Sequence, residues 1–238
     1  MTSLVDEQGF NQGYALTRAQ QRRLGRRTEA MLAAMGAPFP QPVQILELGC
    51  GTGEVALQLA QAPNTEVLGL DRSARFIRQA AATHGAPNLR FTTADIVADL
   101  PDYPDESYDF IVGNGVLHHV QGDFDRVLPN LKRMLKPGGK LVFWEPNYLN
   151  PFIYLIFTFG WLRRMAQLEP GEMAFSPRDI KRRLGALGMA RTTVQTRDFL
   201  LPNTPGWLIG TAISLGHGLE RVPVVRAWAQ SLFLVSVK

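Results

Sequence analysis

One cysteine, Cys50, occurs in 238 residues. No intramolecular disulfide can form, and no all-cysteine zinc site. A lone thiol is what a reducing, cytoplasmic location allows. No uninterrupted apolar run of about 18 residues is present, which argues against a spanning helix. The opening MTSLVDEQGF has no charged segment leading into an apolar one, so no secretory leader is expected. No group of His, Cys and Asp has the spacing of zinc ligands along the chain, so no metal is expected. No repeat with a period of about 20–50 residues is evident. Lysine is scarce: of 25 basic residues, 20 are arginine. The formal net charge of +4 reads first as coding bias. Second, it is a modest positive field that suits nucleic acid, an anionic membrane surface or an acidic small molecule.

What is present is ordinary for a globular chain: 45% apolar and 19% charged residues, enough for a sizeable core. Residues 1–42 are polar and Arg-rich, with Leu16, Leu24, Met31, Leu32 and Met35 at loosely helical spacing. A helical N-terminal arm is expected there, stopping at Gly36 ahead of Pro38, Pro40 and Pro42. The core domain is expected over 43–238. Short apolar strands are expected at Val43–Leu48, Glu66–Leu70, Asn88–Thr92, Tyr108–Val112 and Lys140–Trp144. Helices fall between them: Val55–Ala60, Ala74–Thr83 capped by Ser73, and Asp123–Leu135 closed by Pro137-Gly138-Gly139. Apolar strands alternating with helices indicate a parallel sheet covered on both faces. Segments 146–175 and 202–229 read as insertions. Between and after them come a helix from Pro177 to about Leu187, a strand over Ala190–Leu201 and a strand over Leu232–Val237.

Each strand ends on Gly, Asp or Asn, at the sheet edge where open α/β folds bind ligands. The strongest local signal is Glu47-Leu48-Gly49-Cys50-Gly51-Thr52-Gly53 at a strand-to-helix turn. Glycines let the backbone pass close to a ligand. The spacing is not that of a dinucleotide pyrophosphate site, and Glu47 before the turn suits a cationic ligand. Asp71, followed by Arg72, ends the second strand, where a carboxylate can accept both hydroxyls of a ribose. Asp95 follows the third strand, within reach of an adenine amino group. The plainer reading of the same residues is that the glycines serve a tight turn and the acids cap helices.

Five motifs stand in order over residues 43–147: ILELGCGTG (45–53), LGLDRS (68–73), FTTADI (91–96), YDFIVGNGVLHHV (108–120) and LKPGGKLVFWEPN (135–147). Together they resemble the class I S-adenosylmethionine-dependent methyltransferases, of the type acting on small molecules. The resemblance implies a Rossmann-like, seven-stranded, mostly parallel sheet with helices on both faces and a reversed last strand, with the arm and lid insertions added. It implies S-adenosyl-L-methionine as cofactor. Gly49, Cys50 and Gly51 would line the methionine part, Gly53 would start the helix, and Glu47 would bind the amino group directly or through water. Asp71 would hold the ribose; Asp95 and the Ile96 backbone would hold adenine. Asn114 and Gly115 would pass under the sulfonium.

Methyl transfer from a sulfonium is an in-line displacement that depends on positioning; a base is needed only where the acceptor must lose a proton. Candidates are His118 and His119, for which a packing role is the alternative, and Glu145, divided between substrate contact and structural hydrogen bonding. Tyr14 would either close over the cofactor or stand exposed.

The acceptor is read from the insertions. Residues 151–162 are almost wholly apolar, followed by Arg163-Arg164. Three roles stand: a lid over a hydrophobic pocket, a peripheral membrane contact through 151–164, or core packed with Trp207, Leu208 and Ile209. A lid suits a polyketide, aromatic, quinone or lipid-like acceptor of natural-product type, methylated at oxygen, with C- and N-methylation open. RNA or protein acceptors and a non-catalytic cofactor-binding protein are the alternatives. No nucleic acid partner is expected, since Gly113-Asn114-Gly115-Val116 replaces the Asn/Asp-Pro-Pro-Tyr pattern of base-methylating enzymes. Monomer and homodimer both remain open.

Overall fold

The computed structural model describes residues 7, 17–169 and 171–238. Tyr14 lies outside the described residues. In chain order the elements are α1 (Arg18–Met35), β1 (Val43–Leu48), α2 (Glu54–Ala60), β2 (Thr65–Asp71), α3 (Ala74–Thr83), β3 (Leu89–Thr93), β4 (Tyr108–Asn114), α4 (Phe124–Met134), β5 (Leu135–Pro146), α5 (Pro151–Thr158), α6 (Gly160–Met165), α7 (Pro177–Ala186), β6 (Arg191–Arg197), α8 (Ile209–Leu219), α9 (Pro223–Arg226) and β7 (Ser231–Val237). The seven strands form one sheet in the order β3-β2-β1-β4-β5-β7-β6. β7 runs antiparallel to both its neighbours, and the other pairings are parallel. This is the mostly parallel sheet with a reversed last strand that the motifs imply.

The central strands are buried on both faces, so they read as continuous apolar runs. Ile45, Val67, Val112 and Val142 face α1 and α2, meeting Met31, Met35, Val55 and Leu59. Leu46, Leu48, Ile111 and Phe143 face α4 and α7, meeting Val127, Leu131 and Leu184. Helix α1 starts in a capping box, Thr17 with Gln20, and ends on Gly36 in the left-handed region at φ 99°. Its buried Arg27, Met31 and Met35 recur every four residues and so share one face. Ser73 caps α3 by accepting from the Phe76 N–H.

Two strand boundaries differ from the expectation by more than two residues. β5 starts at Leu135, before the Pro-Gly-Gly turn. Leu135 already pairs with Tyr108, and the register shifts before Phe110 pairs with Lys140. The turn is thus a bulge inside the strand, with Gly138 at φ 76°. β6 ends at Arg197, not Leu201, because Asp198 adopts φ 77° and breaks the extended run.

Phe175, at the end of the first insertion, joins the core, but the helices of the insertions stand largely at the surface. Phe157 is the buried residue of α5, and among the described residues of α6 and α9 none is buried. Phe152 is 63% exposed, Trp161 57% and Trp207 82%, which overturns the reading of 151–162 and Trp207 as packed interior. Among the described residues no helix is long and apolar enough to cross a membrane.

Candidate active site

Strand order reverses between β1 and β4, and a cleft opens beyond the carboxyl ends of β1 to β4, as in other open α/β sheets. Of the residues singled out in the sequence, Gly49, Asp71, Arg72, Asp95, Ile96, Gly115 and His119 line it. Ser73, Phe76, Val116, Asp123 and Glu169 line it as well. Phe76 and Asp123 give no signal in the sequence beyond their places in a first turn and a helix cap.

The glycine turn is built by left-handed residues: Gly49 (φ 61°), Gly51 (φ 53°) and Gly53 (φ 88°). The close neighbours that exclude a side chain at two of them belong to the protein. A Cβ on Gly49 would stand 2.7 Å from Val116, and one on Gly53 2.7 Å from Phe91. At these two positions the glycine is required by the packing of the turn itself. At Gly115 (φ 77°) a Cβ would find only His118, at 3.5 Å, so this backbone is open on the cleft side. Cys50 is buried. Burial, with the charges of Glu47 and Asp71, pushes its thiol well above the usual range, so its part is played by its backbone N–H, which donates to Leu70.

The acids at the strand ends divide into two kinds. Asp71 accepts from the Gly51 N–H at 2.9 Å and the Ser73 N–H at 2.8 Å, tying the glycine turn to the end of β2. Asp95 accepts from the N–H groups of Val97 (2.7 Å) and Ala98 (3.3 Å). Both therefore orient local backbone as well as lining the cleft. Glu47 differs. It is 1% exposed, lies behind the cleft wall, and its Oε2 has no hydrogen-bond partner. Burial, then the charges of Glu54 and Asp71, push its carboxyl up to about 8, with the Ala56 N–H opposing. Ligand-free, the group therefore holds its proton at neutral pH; a cation bound beside it would favour the carboxylate form and pair with it. The donor set thus fits the ammonium, ribose and adenine of a sulfonium nucleoside.

The two histidines separate. His118 is buried. Its Nδ1 lies 2.8 Å from Glu145 Oε2 and its Nε2 3.1 Å from Glu172 Oε1. Burial alone would lower its pKa, but the hydrogen bonds and charges of Glu145 and Glu172 outweigh it and raise it to about 9. Both ring nitrogens are engaged by buried carboxylates, so neither is presented to an acceptor in the cleft, which counts against His118 as the base. Glu145 is 2% exposed and accepts from the N–H groups of Val116, Leu117 and His118. Its contacts are the structural alternative, and its expected reach to the substrate edge is corrected. His119 lies on the cleft wall, with Nδ1 3.7 Å from Glu169 and 3.8 Å from Glu172. Glu169 pairs with Arg72, and hydrogen bonding to His119 leads the causes that hold its carboxyl below the usual range. Glu169 and Glu172 escape the sequence reading because they lie about 50 residues from the histidines, in a segment read as apolar lid. Among the described residues, His118, His119 and Glu172 each bring a ligand-type atom to within 4.8 Å of the others.

Asn114, expected beneath the sulfonium, accepts on Oδ1 from Arg27. Arg27, Arg23 and Arg26 of α1 converge on Asp198. That cluster, too, is missed by a reading of the arm's arginines as coding bias; the faint signal is the i, i+4 placement of Arg23 and Arg27.

Comparison with known proteins points to the family that the motifs resemble. A family model described as "Methyltransferase domain" matches residues 45–139. The chain is 35% identical over 166 residues to a trans-aconitate 2-methyltransferase of Streptomyces avermitilis, covering 65% of this chain and 60% of that protein. It is 32% identical over 185 residues to a protein of the same name from Deinococcus radiodurans, covering 71% and 69%. A crystal structure described as a SAM dependent methyltransferase from Archaeoglobus fulgidus superposes with a TM-score of 0.66 at 14% identity, over 92% of this chain and 94% of that one.

Proposed function

This chain belongs to the class I S-adenosylmethionine-dependent methyltransferases, and on that premise we propose that it moves a methyl group to an oxygen of a hydrophobic small molecule. The observation that carries the methyl-transfer reading is the cleft beyond the ends of β1 to β4, lined by Gly49, Asp71, Asp95, Ile96 and Gly115. Behind its wall the Oε2 of Glu47 lacks a partner, and an ammonium reaching it directly or through water would favour its carboxylate form. When bound, S-adenosylmethionine supplies a methyl already activated by positive sulfur. Glu47 would hold the amino group, Asp71 the ribose, Asp95 and Ile96 the adenine edge, and the open backbone of Gly115 would pass beneath the reacting end. The chain's further work is to align the acceptor and exclude water, which removes on the order of 7–11 kcal/mol from a barrier. Where the acceptor carries a proton, His119 on the cleft wall is the group in place to take it.

The relatives are named for trans-aconitate, a tricarboxylate, which supports oxygen as the receiving atom. The apolar body assigned to this chain's acceptor rests on the insertions. Their exposed large side chains include Phe152, Leu155, Phe159, Trp161, Trp207, Leu215, Val224 and Trp228. The ionisable side chains exposed among 149–165 and 201–228 are Arg164, His217, Arg221 and Arg226, with no acid. An apolar face of this extent with basic residues suits an anionic bilayer, from which a lipid-like acceptor would enter. Radiolabelled cofactor incubated with a metabolite and lipid extract tests the reading: label is expected in organic-soluble small molecules. Label in RNA or protein, or binding without transfer, overturns it. Sedimentation with vesicles rich in phosphatidylglycerol is expected to carry the protein down, and Trp161→Asp with Trp207→Asp to leave it in solution.

A further inference from the structure

We propose that His118, His119 and Glu172 form a binding site for one divalent transition-metal ion at the wall of the cofactor cleft, with Glu169 beside it. The sequence reading expects no metal because it looks for ligands close together along the chain. The fold brings the ligand atoms of these three residues within 4.8 Å of one another. His118 Nε2 stands 3.1 Å from Glu172 Oε1, and His119 Nδ1 stands 3.7 Å from Glu169 Oε2 and 3.8 Å from Glu172 Oε2. Ligand bonds of about 2.0–2.2 Å place the corners of a tetrahedron about 3.3–3.6 Å apart, so these atoms, all within 4.8 Å of one another, would adjust slightly to close the shell. The ion would take the place of the proton between His118 Nε2 and Glu172 Oε1, which is released to solvent.

Second, the surroundings are those of a metal ligand. A metal-bound histidine usually gives its other ring N–H to a carboxylate, which fixes the ring. His118 does this through Nδ1 to Glu145, and Glu145 is itself locked by three backbone N–H groups. On the other side, Glu172 Oε2 accepts from the Glu169 N–H, which leaves Oε1 turned to His118. Two imidazoles and a carboxylate favour zinc, iron, cobalt or manganese over magnesium or calcium.

Third, the site has an open side. His119 and Glu169 line the cleft, so a position of the metal not filled by protein would face the acceptor, the arrangement of catalytic and not structural sites. There the ion, in place of a free His119 base, would take the acceptor's oxygen and orient it toward the methyl group. That consequence rests on the methyl-transfer reading above; binding of the ion does not.

The test uses full-length protein stripped with a chelator and titrated with cobalt(II), whose visible absorption reports a four- or five-coordinate site, and with zinc(II) by calorimetry. One equivalent is expected to bind. His118→Asn, His119→Asn and Glu172→Gln are each expected to weaken it at least tenfold, and Glu145→Gln by about 10–100-fold, with the circular dichroism of the folded protein retained. Absence of stoichiometric uptake, or equal uptake by the His118→Asn/His119→Asn double variant, overturns the proposal in favour of a proton shared among the carboxylates. Cobalt absorption with no methyl transfer to any extract would leave the metal site standing and overturn the functional reading instead.

Discussion

Arg27 Nη1 donates to Asn114 Oδ1 at 2.8 Å, joining the inward face of α1 to the last residue of β4, next to the Gly115 backbone on the cleft wall. The same guanidinium donates to Asp198 and to Ser231, and lies 5.0 Å over the Trp144 ring. One side chain therefore links α1, β4, β5, β7 and the end of β6. Burial pushes Arg27 down to about 10 while Asp198 is held at about 2. Those shifts pull in opposite senses for the pair, yet both groups are ionised at neutral pH and the interaction is ionic.

Arg27→Ala should destabilise the protein by about 3 kcal/mol, because it leaves a buried carboxylate short of its partner. It should also weaken cofactor binding by freeing Asn114. Urea unfolding and calorimetric titration with S-adenosylmethionine check the two effects separately.

Asp198 sets an acid limit. Burial would raise its carboxyl, but the charges and hydrogen bonds of Arg27 and Arg23 bring it below its ordinary 3.8, to about 2. A depressed carboxylate stabilises the fold above its unfolded value, and that stability is lost as pH falls from about 3.8 through 2. It amounts to about 2 kcal/mol. Asp198→Asn should therefore flatten the pH dependence of stability in that window, read by thermal melts across it.

Glu47 should show stability and binding moving in opposite directions. Its folded value of about 8 lies above the ordinary 4.5, so the folded state holds the proton more tightly. The stability this confers is complete below pH 4.5 and drains away as pH rises through 8. Glu47→Gln should raise the stability of the ligand-free protein at pH 8 by about 1–3 kcal/mol while weakening S-adenosylmethionine binding. Melting curves with and without cofactor would show it; loss of stability together with affinity would count against the assigned role.

Asp71→Ala removes a charged acceptor from the ribose end and from the Gly51 and Ser73 N–H groups. A hydrogen bond to a charged group is worth about 1.5–3 kcal/mol, so the dissociation constant for cofactor should rise by about 10–150-fold. Unchanged affinity by calorimetry would move the nucleoside elsewhere.

Gly53→Ala asks a Cβ to enter at φ 88° against Phe91. The strain should cost about 1–3 kcal/mol and disturb the start of α2, measured as a lower midpoint in urea. Adding Phe91→Leu should recover part of the loss.

The sheet and the cleft edge were legible because alternating apolar strands and strand-end acids are local patterns. Ser73 as cap of α3 and Gly36 as stop of α1 follow from side-chain chemistry within four residues. What was not legible depended on partners distant in sequence. The start of β5 was hidden because Pro137-Gly138-Gly139 has the composition of a stop and acts as a bulge. Asp198 was absorbed into a strand because nothing in its neighbours announces φ 77°. The apolar run at 151–162 has the composition of an interior and stands at the surface. The pairing of Glu172 with His118 could not be seen without the fold that folds the lid segment back over the turn after β4.

β6 reaches the rest of the sheet only through β7. The ladder that sets Thr196 opposite Leu232 and Arg197 opposite Ser231 therefore acts as a ruler for α1. A slip of one step would turn every side chain of β6 over and carry Asp198 about 3.4 Å along the strand, away from the arginines it gathers. Alignment between two strands that do not line the cleft thus sets where α1 is anchored, and the tether from Arg27 to Asn114 carries that alignment to the end of β4.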